Sequence, residues 1–110
     1  IKDQLSNFEK SNGFLNSNFT LNILAKEFKT NSKYLSKTIN THKQKTFTQY
    51  INDLRIDYLI ERLKTDNRYR NYTIKAIATE IGFNTPNAFS RAFYKKMGVS
   101  PSEYIKELDS

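Results

Sequence analysis

The sequence predicts an all-α fold of about seven helices, on the strength of three observations. Apolar residues recur at intervals of three and four, as at Ile51, Leu54 and Tyr58, which is the spacing of one helix face. No stretch sustains the alternation of polar and apolar residues that is typical of a strand. The glycines follow helical stretches, and both prolines follow a hydroxyl residue that can cap a helix.

The helix boundaries follow from the same residues. The first helix ends near Gly13, and Thr46 with Gln49 forms a capping box at the start of the fourth. Thr85-Pro86 and Ser100-Pro101 start the last two, because proline is favoured at the first helical position. The longest gap between predicted helices runs from Asp66 to Thr73 and begins with a turn at Asp66-Asn67. The predicted helices span 1–13, 21–28, 32–43, 47–65, 74–81, 86–96 and 101–108.

Composition excludes several classes of protein. The chain has 110 residues and a mass of 12.9 kDa, which suits one small domain. It has no cysteine and one histidine, His42, so thiolate zinc sites and cysteine nucleophiles are excluded, and we expect no metal, no cofactor and no enzymatic activity. No apolar run approaches the roughly 18 residues of a membrane span, so we expect a cytoplasmic location. Because it begins at Ile1, we expect a fragment of a longer protein.

The positive charge is concentrated in the middle of the chain. The net charge is +7, yet residues 1–20 carry no net charge and residues 97–110 carry −2, so the middle carries +9. Within it, residues 29–45 hold five lysines and no acid, and residues 85–96 hold three cations and no acid. Such focused charge is the expected footprint of a polyanionic partner.

The chain also repeats itself. Residues 24–39 match residues 77–93 type by type, and in each copy a short helix with an inner alanine is followed by a capped second helix. That arrangement is typical of a helix-turn-helix, in which the second helix is presented outward. The intervening helix would be about 28 Å long, so the two presented helices could lie about one DNA turn, ~34 Å, apart and read successive major grooves.

We therefore predict two helix-turn-helix subdomains joined by a long central helix. The predicted divisions are an N-terminal helix with lead-in at 1–19, a first helix-turn-helix at 20–45, a connecting helix at 46–65, and a second helix-turn-helix with a C-terminal helix at 66–110.

Two segments of the second copy resemble the DNA-binding domain of AraC/XylS-type transcription regulators. They read IKAIATEIGF at 74–83 and FSRAFYKKMGVSPSEY at 89–104, and the resemblance extends over residues 20–108. It implies a transcription regulator that binds double-stranded DNA, with RNA polymerase and a sensor domain outside this fragment as further partners. We expect the isolated domain to be monomeric. The sequence departs from the family at Lys29, where the first turn usually has glycine.

The outward positions of the two presented helices are the candidate DNA contacts. With Leu35 and Phe89 as inward anchors, the neighbouring outward residues are the predicted base readers: Lys33, Ser36, Lys37, Asn87, Ser90 and Arg91. Cations around these helices, and polar residues at helix N-termini, are the predicted phosphate contacts: Asn31, Lys43, Lys45, Arg70, Thr73, Thr85, Lys95 and Lys96.

Two other functions remain open from the sequence. One is a basic helical domain that binds nucleic acid without sequence preference, including RNA, and the other is a helical protein-interaction module. The first predicts equal affinity for any duplex, and the second predicts no salt-dependent DNA binding.

Overall fold

The computed structural model describes residues 1–109, and Ser110 lies outside them. Within this range the chain forms eight α-helices, one 3-10 turn at Gly13–Leu15 and no strand, which confirms the all-α prediction. The helices are α1 (Lys2–Ser11), α2 (Leu21–Glu27), α3 (Ser32–Lys43), α4 (Phe47–Thr65), α5 (Asn67–Arg70), α6 (Ile74–Glu80), α7 (Pro86–Met97) and α8 (Pro101–Leu108).

Two details differ by more than one residue from the predicted helices. Helix α1 ends two residues before the predicted end, because Asn12 adopts a left-handed conformation with φ of 63° and stops the helix. Helix α5 is a single helical turn inside the stretch from Asp66 to Thr73, the predicted gap between helices. It is started by Asp66, whose carboxylate accepts a hydrogen bond from the backbone N–H of Arg68 at 3.0 Å.

Capping side chains mark where most helices begin. In each case the side-chain oxygen accepts a hydrogen bond from a backbone N–H in the first turn, which contributes about 1 kcal/mol. At Thr46 the full capping box is formed, since Gln49 also accepts from the backbone N–H of Thr46. The capping residues are Thr20, Asn31, Thr46, Asp66, Thr73, Thr85 and Ser100.

Helix α4 carries two hydrophobic cores, one on each half. Its first half places Tyr50 and Ile51 among the buried residues of α1, α2 and α3. Its second half places Ile56, Leu59 and Leu63 among those of α5, α6 and α7. The molecule is accordingly elongated, with extents of 46 × 23 × 22 Å.

Arg55 joins the two cores from the middle of α4. Its side chain is buried, and its Nε and Nη2 donate to the carbonyl oxygens of Phe14 at 2.7 Å and Asn16 at 3.1 Å. The guanidinium also lies 5.5 Å from the ring centre of Phe83. Burial lowers the pKa of Arg55 from its ordinary value. Because its donors go to carbonyls rather than carboxylates, Arg55 acts as a packing residue that holds the segment after α1 against the second core.

The described residues also lack two kinds of feature. No helix among residues 1–109 is both long enough and apolar enough to cross a bilayer. The same residues bring together no group of three or more side chains suited to hold a metal ion.

Candidate nucleic-acid interface

Two helix pairs share one turn construction. We call α2 with α3 the first unit and α6 with α7 the second unit. In the first unit the N–H of Thr30 donates to the carbonyl of Ala25 at 2.9 Å, and in the second the N–H of Phe83 donates to the carbonyl of Ala78 at 2.9 Å. The residue before each of these donors has a positive φ. The repeat seen in the sequence is thus a repeat of backbone structure.

The departure at Lys29 is accommodated without changing the turn. Lys29 adopts a left-handed φ of 56°, and its counterpart Gly82 has a φ of 97°. The Lys29 side chain is exposed, whereas Gly82 is buried against the carbonyl of Leu15 and the guanidinium of Arg55. A side chain therefore fits in the first turn, where it extends into solvent.

Each unit presents its second helix in the same orientation relative to the core. The inward anchors Leu35 and Phe89 are fully buried, as are Ile39 and Phe93 one turn later. Since these anchors lie on one face of each helix, the opposite face of α3 and α7 is turned outward. Neither α3 nor α7 contains an acidic residue.

The predicted base readers lie on these outward faces. The exposed ones are Lys33, Lys37, Asn87 and Arg91, whereas Ser36 and Ser90 are half-buried. Within residues 1–109, no carboxylate lies within ion-pair distance of Lys33, Lys37 or Arg91. Their charged groups are therefore available to a polyanion.

Three of the predicted phosphate contacts are N-caps. Asn31 accepts from the N–H of Tyr34 at 2.8 Å, Thr73 from that of Ala76 at 3.0 Å, and Thr85 from that of Ala88 at 3.1 Å. Each cap satisfies one of the N–H groups at the start of its helix, and the start of a helix attracts anions because other first-turn N–H groups have no partner within the helix. Asn31 and Thr85 begin the two presented helices.

Three predicted phosphate-binding lysines pair with carboxylates of the protein. Lys43 lies 3.3 Å from a carboxylate oxygen of Glu9, and Lys45 lies 2.6 Å from one of Asp53. Lys96 lies 3.2 Å from Asp57 and 3.9 Å from Asp53. Asp53 of α4 thus pairs with Lys45, just before α4, and with Lys96, at the end of α7, and all three line a cleft of about 460 Å³ between α4 and α7. These lysines offer less charge to DNA than their number suggests.

Glu9 makes a second contact beside Lys43. The hydroxyl of Tyr50 donates to Glu9 at 2.5 Å, and burial together with this hydrogen bond raises the pKa of Tyr50. The Lys43 ammonium also lies 6.0 Å from the ring centre of Tyr50. Through Glu9, helix α1 is tied to the end of α3 and to the start of α4.

The two remaining predicted phosphate contacts differ from each other. Arg70 donates to the carbonyl of Leu63 at 2.8 Å and to the carboxylate of Asp109 at 3.3 Å, so its guanidinium is engaged at the end of α4. Lys95 is exposed on α7, and in the described part of the chain no carboxylate lies within ion-pair distance of it. Lys95 is accordingly the most available of these five cations.

The sequence reasoning did not single out Tyr94, which the structure places on the outward face of α7. Tyr94 is 61% exposed, which is the largest value among the exposed large apolar residues of the described chain. A signal for it was present, because Tyr94 falls outside the inward series of Phe89 and Phe93 yet is aromatic.

Comparison with known proteins identifies the family. A family model described as a helix-turn-helix domain matches residues 24–107, which is most of the chain. The chain belongs to the AraC-type helix-turn-helix family. AraC-type domains are DNA-binding parts of transcription regulators and are not enzymes.

One curated relative is the TCP pilus virulence regulatory protein of Vibrio cholerae serotype O1. It is 35% identical over 109 residues, which cover 96% of this chain and 38% of the relative. The chain therefore spans less than two fifths of the length of the curated relatives it matches.

Two solved structures have the same fold. The C-terminal domain of the two-component response regulator yesN from Fusobacterium nucleatum matches with a TM-score of 0.79 and 25% identity, covering 94% of this chain and 96% of that one. The DNA-binding domain of AdpA, solved in complex with a target DNA, matches with a TM-score of 0.77 and 18% identity, covering 96% and 89%. The AdpA likeness supports the fold of this AraC-type domain.

Proposed function

We propose that this AraC-type domain binds double-stranded DNA sequence-specifically and is the DNA-binding part of a transcription regulator. Helices α3 and α7 enter successive major grooves. The observation that carries the proposal is the pair of outward helix faces on α3 and α7, which contain no acidic residue. The two units that present them have the same turn hydrogen bond, and both pack on α4. A nonspecific binder needs basic charge but does not need two presented helices in equivalent orientation.

The dimensions of the molecule support binding as a monomer. Helix α4 has 19 residues, which gives a length of about 28 Å, and the molecule is 46 Å long. Two presented helices separated by about 34 Å, one turn of DNA, fit within that length. We keep 20–45 and 66–110 as the two DNA-binding subdomains, joined by 46–65 and preceded by 1–19.

The proposed base contacts follow from side-chain chemistry. Arg91 presents a guanidinium that can donate to O6 and N7 of one guanine together. Asn87, one turn earlier on the same face, can pair with N6 and N7 of adenine. In α3, Lys33 and Lys37 can donate to guanine, and the shorter Ser36 and Ser90 reach bases only where the helix lies deep in the groove.

The proposed phosphate contacts divide into two groups. Lys95 and the helix starts at Asn31, Thr73 and Thr85 hold the DNA backbone directly. The paired cations contribute less, because each must exchange a protein carboxylate for a phosphate. These are Lys43, Lys45, Arg70 and Lys96.

The proposal extends to the protein that contains the domain. The curated relatives are regulators two and a half or more times as long as the matched region, which supports a signal-sensing region as a further part. RNA polymerase is proposed as a further partner because the domain belongs to a family of transcription regulators.

A selection of binding sites from random duplex DNA tests the proposed function. We expect the purified domain to enrich two blocks of sequence about one helical turn apart. Arg91→Ala is expected to relax the preference at one position and to cost about 1–3 kcal/mol on the selected duplex. Lys95→Ala is the matched control on the same helix, and it is expected to weaken selected and scrambled duplexes equally. Selection without any enrichment supports the nonspecific alternative.

A further inference from the structure

The aromatic ring of Tyr94 is exposed to solvent on α7, a helix that is proposed to enter the major groove of DNA. The residue is 61% exposed, although α7 buries its other aromatic side chains, Phe89 and Phe93, completely. An exposed ring loses the stabilisation that burial would give it, so a large exposed aromatic on a functional face suggests a surface that is covered in the bound state.

The surroundings of Tyr94 define what can cover it. Tyr94 lies three residues after Arg91 and four after Ser90, which places all three on one face of α7. Together with Lys95 and Ser100 they line a shallow depression whose surface is almost entirely carbon. Such a depression suits an apolar group better than a phosphate, which needs donors around it.

We propose, on the basis of the proposed function, that Tyr94 is a specificity-determining residue that packs its ring on the C5-methyl group of a thymine. Thymine is the one base that presents a methyl group in the major groove. Arg91 and Tyr94 are separated by about 4.5 Å along the helix axis, and base pairs by about 3.4 Å. The thymine therefore lies one or two base pairs from the base that Arg91 reads.

The charge of the neighbouring residues agrees with this division of roles. Arg91 supplies the charged donor on this face, and Lys95 supplies a cation for the backbone. Tyr94 then contacts the part of the base-pair edge that forms no hydrogen bond, which is the methyl group. Its hydroxyl can remain in water at the groove, so the contact depends on the ring rather than on the hydroxyl.

Parallel selections from random duplexes with the wild-type domain, Tyr94→Ala, Tyr94→Phe and Arg91→Ala test this inference. The wild-type pool is expected to contain a thymine within two base pairs of the position whose preference Arg91→Ala relaxes. Tyr94→Ala should lose enrichment at the thymine alone, and Tyr94→Phe should keep it. Because Tyr94 is exposed, we expect Tyr94→Ala and Tyr94→Phe to fold. Urea unfolding of both variants checks this.

Replacing that thymine by deoxyuridine in the selected duplex removes the methyl group without changing the protein. We expect the wild-type affinity to fall about fourfold, the equivalent of one buried methyl group, and the Tyr94→Ala affinity to change by less than about twofold.

Each failure has a distinct meaning. If the wild-type domain enriches no sequence, the proposed function is wrong. If it does enrich a sequence but Tyr94→Ala gives the same pool, or deoxyuridine has no effect on the wild type, the role of Tyr94 is overturned. A uniform loss with Tyr94→Phe on every duplex would overturn it as well, because the hydroxyl would then be bonding to the DNA backbone.

Discussion

The first and second units reach one backbone arrangement by different means. The side chains that α2 and α3 bury are aliphatic, with Leu24, Leu35 and Ile39 fully buried, and the aromatic rings of that core come from other segments. The second is built on a chain of aromatic rings in contact, formed by Phe83, Phe89, Phe93 and Tyr104. Their turns also differ, because Gly82 is enclosed and Lys29 is open to solvent. The turn geometry is therefore common to both units, whereas the residue at the turn depends on what packs against it.

Substitution of Gly82 should give the largest effect. A Cβ atom at this position would lie 2.7 Å from the carbonyl oxygen of Leu15 and 2.9 Å from Nε of Arg55. The positive φ adds backbone strain for any residue with a side chain. We expect Gly82→Ala to lower the free energy of unfolding by about 3 kcal/mol, measured by urea denaturation.

The matched control is the reverse change in the first unit. Lys29→Gly relieves a left-handed conformation but adds unfolded-chain entropy, so we expect a net gain of about 0.5 kcal/mol. Equal effects of the two substitutions would show that the units do not differ in how their turns are enclosed.

Arg55→Met should have the next largest effect on stability, because Arg55 joins the two cores. The substitution keeps much of the buried volume but leaves the buried carbonyl oxygen of Phe14 without the Arg55 donor. The carbonyl of Asn16 keeps the backbone N–H of Phe19 at 3.1 Å. An unsatisfied buried acceptor is costly, so we expect a loss of about 2 kcal/mol in the free energy of unfolding. Amide hydrogen exchange is expected to accelerate most in the residues that follow α1, and much less in α8.

Arg68 provides the control for Arg55. It is an exposed arginine paired with Asp66 at 2.8 Å, and exposed pairs contribute little. Arg68→Ala should therefore leave the free energy of unfolding almost unchanged. An equal loss from both variants would mean that Arg55 contributes only general charge and does not join the units.

The sequence predicted the fold better than it predicted which cations pair with carboxylates of the protein. Caps such as Thr46 and Thr85, and the inward anchors, act within a few residues, so they are readable from local pattern. Helix α5 is too short to show a periodicity. The ion pairs of Lys43 with Glu9 and of Lys96 with Asp57 join residues far apart in the chain, and they depend on the packing of α1 and α4.

Those ion pairs lead to the smallest expected effect, a difference between two adjacent lysines of the second unit. Lys95 has no carboxylate at ion-pair distance in residues 1–109, whereas Lys96 is held by Asp57 and Asp53. If Lys95 neutralises one phosphate, Lys95→Ala should reduce the slope of log affinity against log salt concentration by about 0.9. For Lys96→Ala we expect less than half of that change. Titrations of the selected duplex at several salt concentrations measure both slopes.

The comparison of these lysines also distinguishes two roles for positive charge between the units. If Lys96 acts within the protein, its removal should lower the free energy of unfolding slightly, by up to about 1 kcal/mol, while Lys95→Ala leaves it unchanged. Equal slopes for the two variants would instead mean that Lys96 leaves its carboxylates when DNA binds. In that case the ion pairs across the cleft belong to the free domain alone, and binding would release the link between α7 and α4.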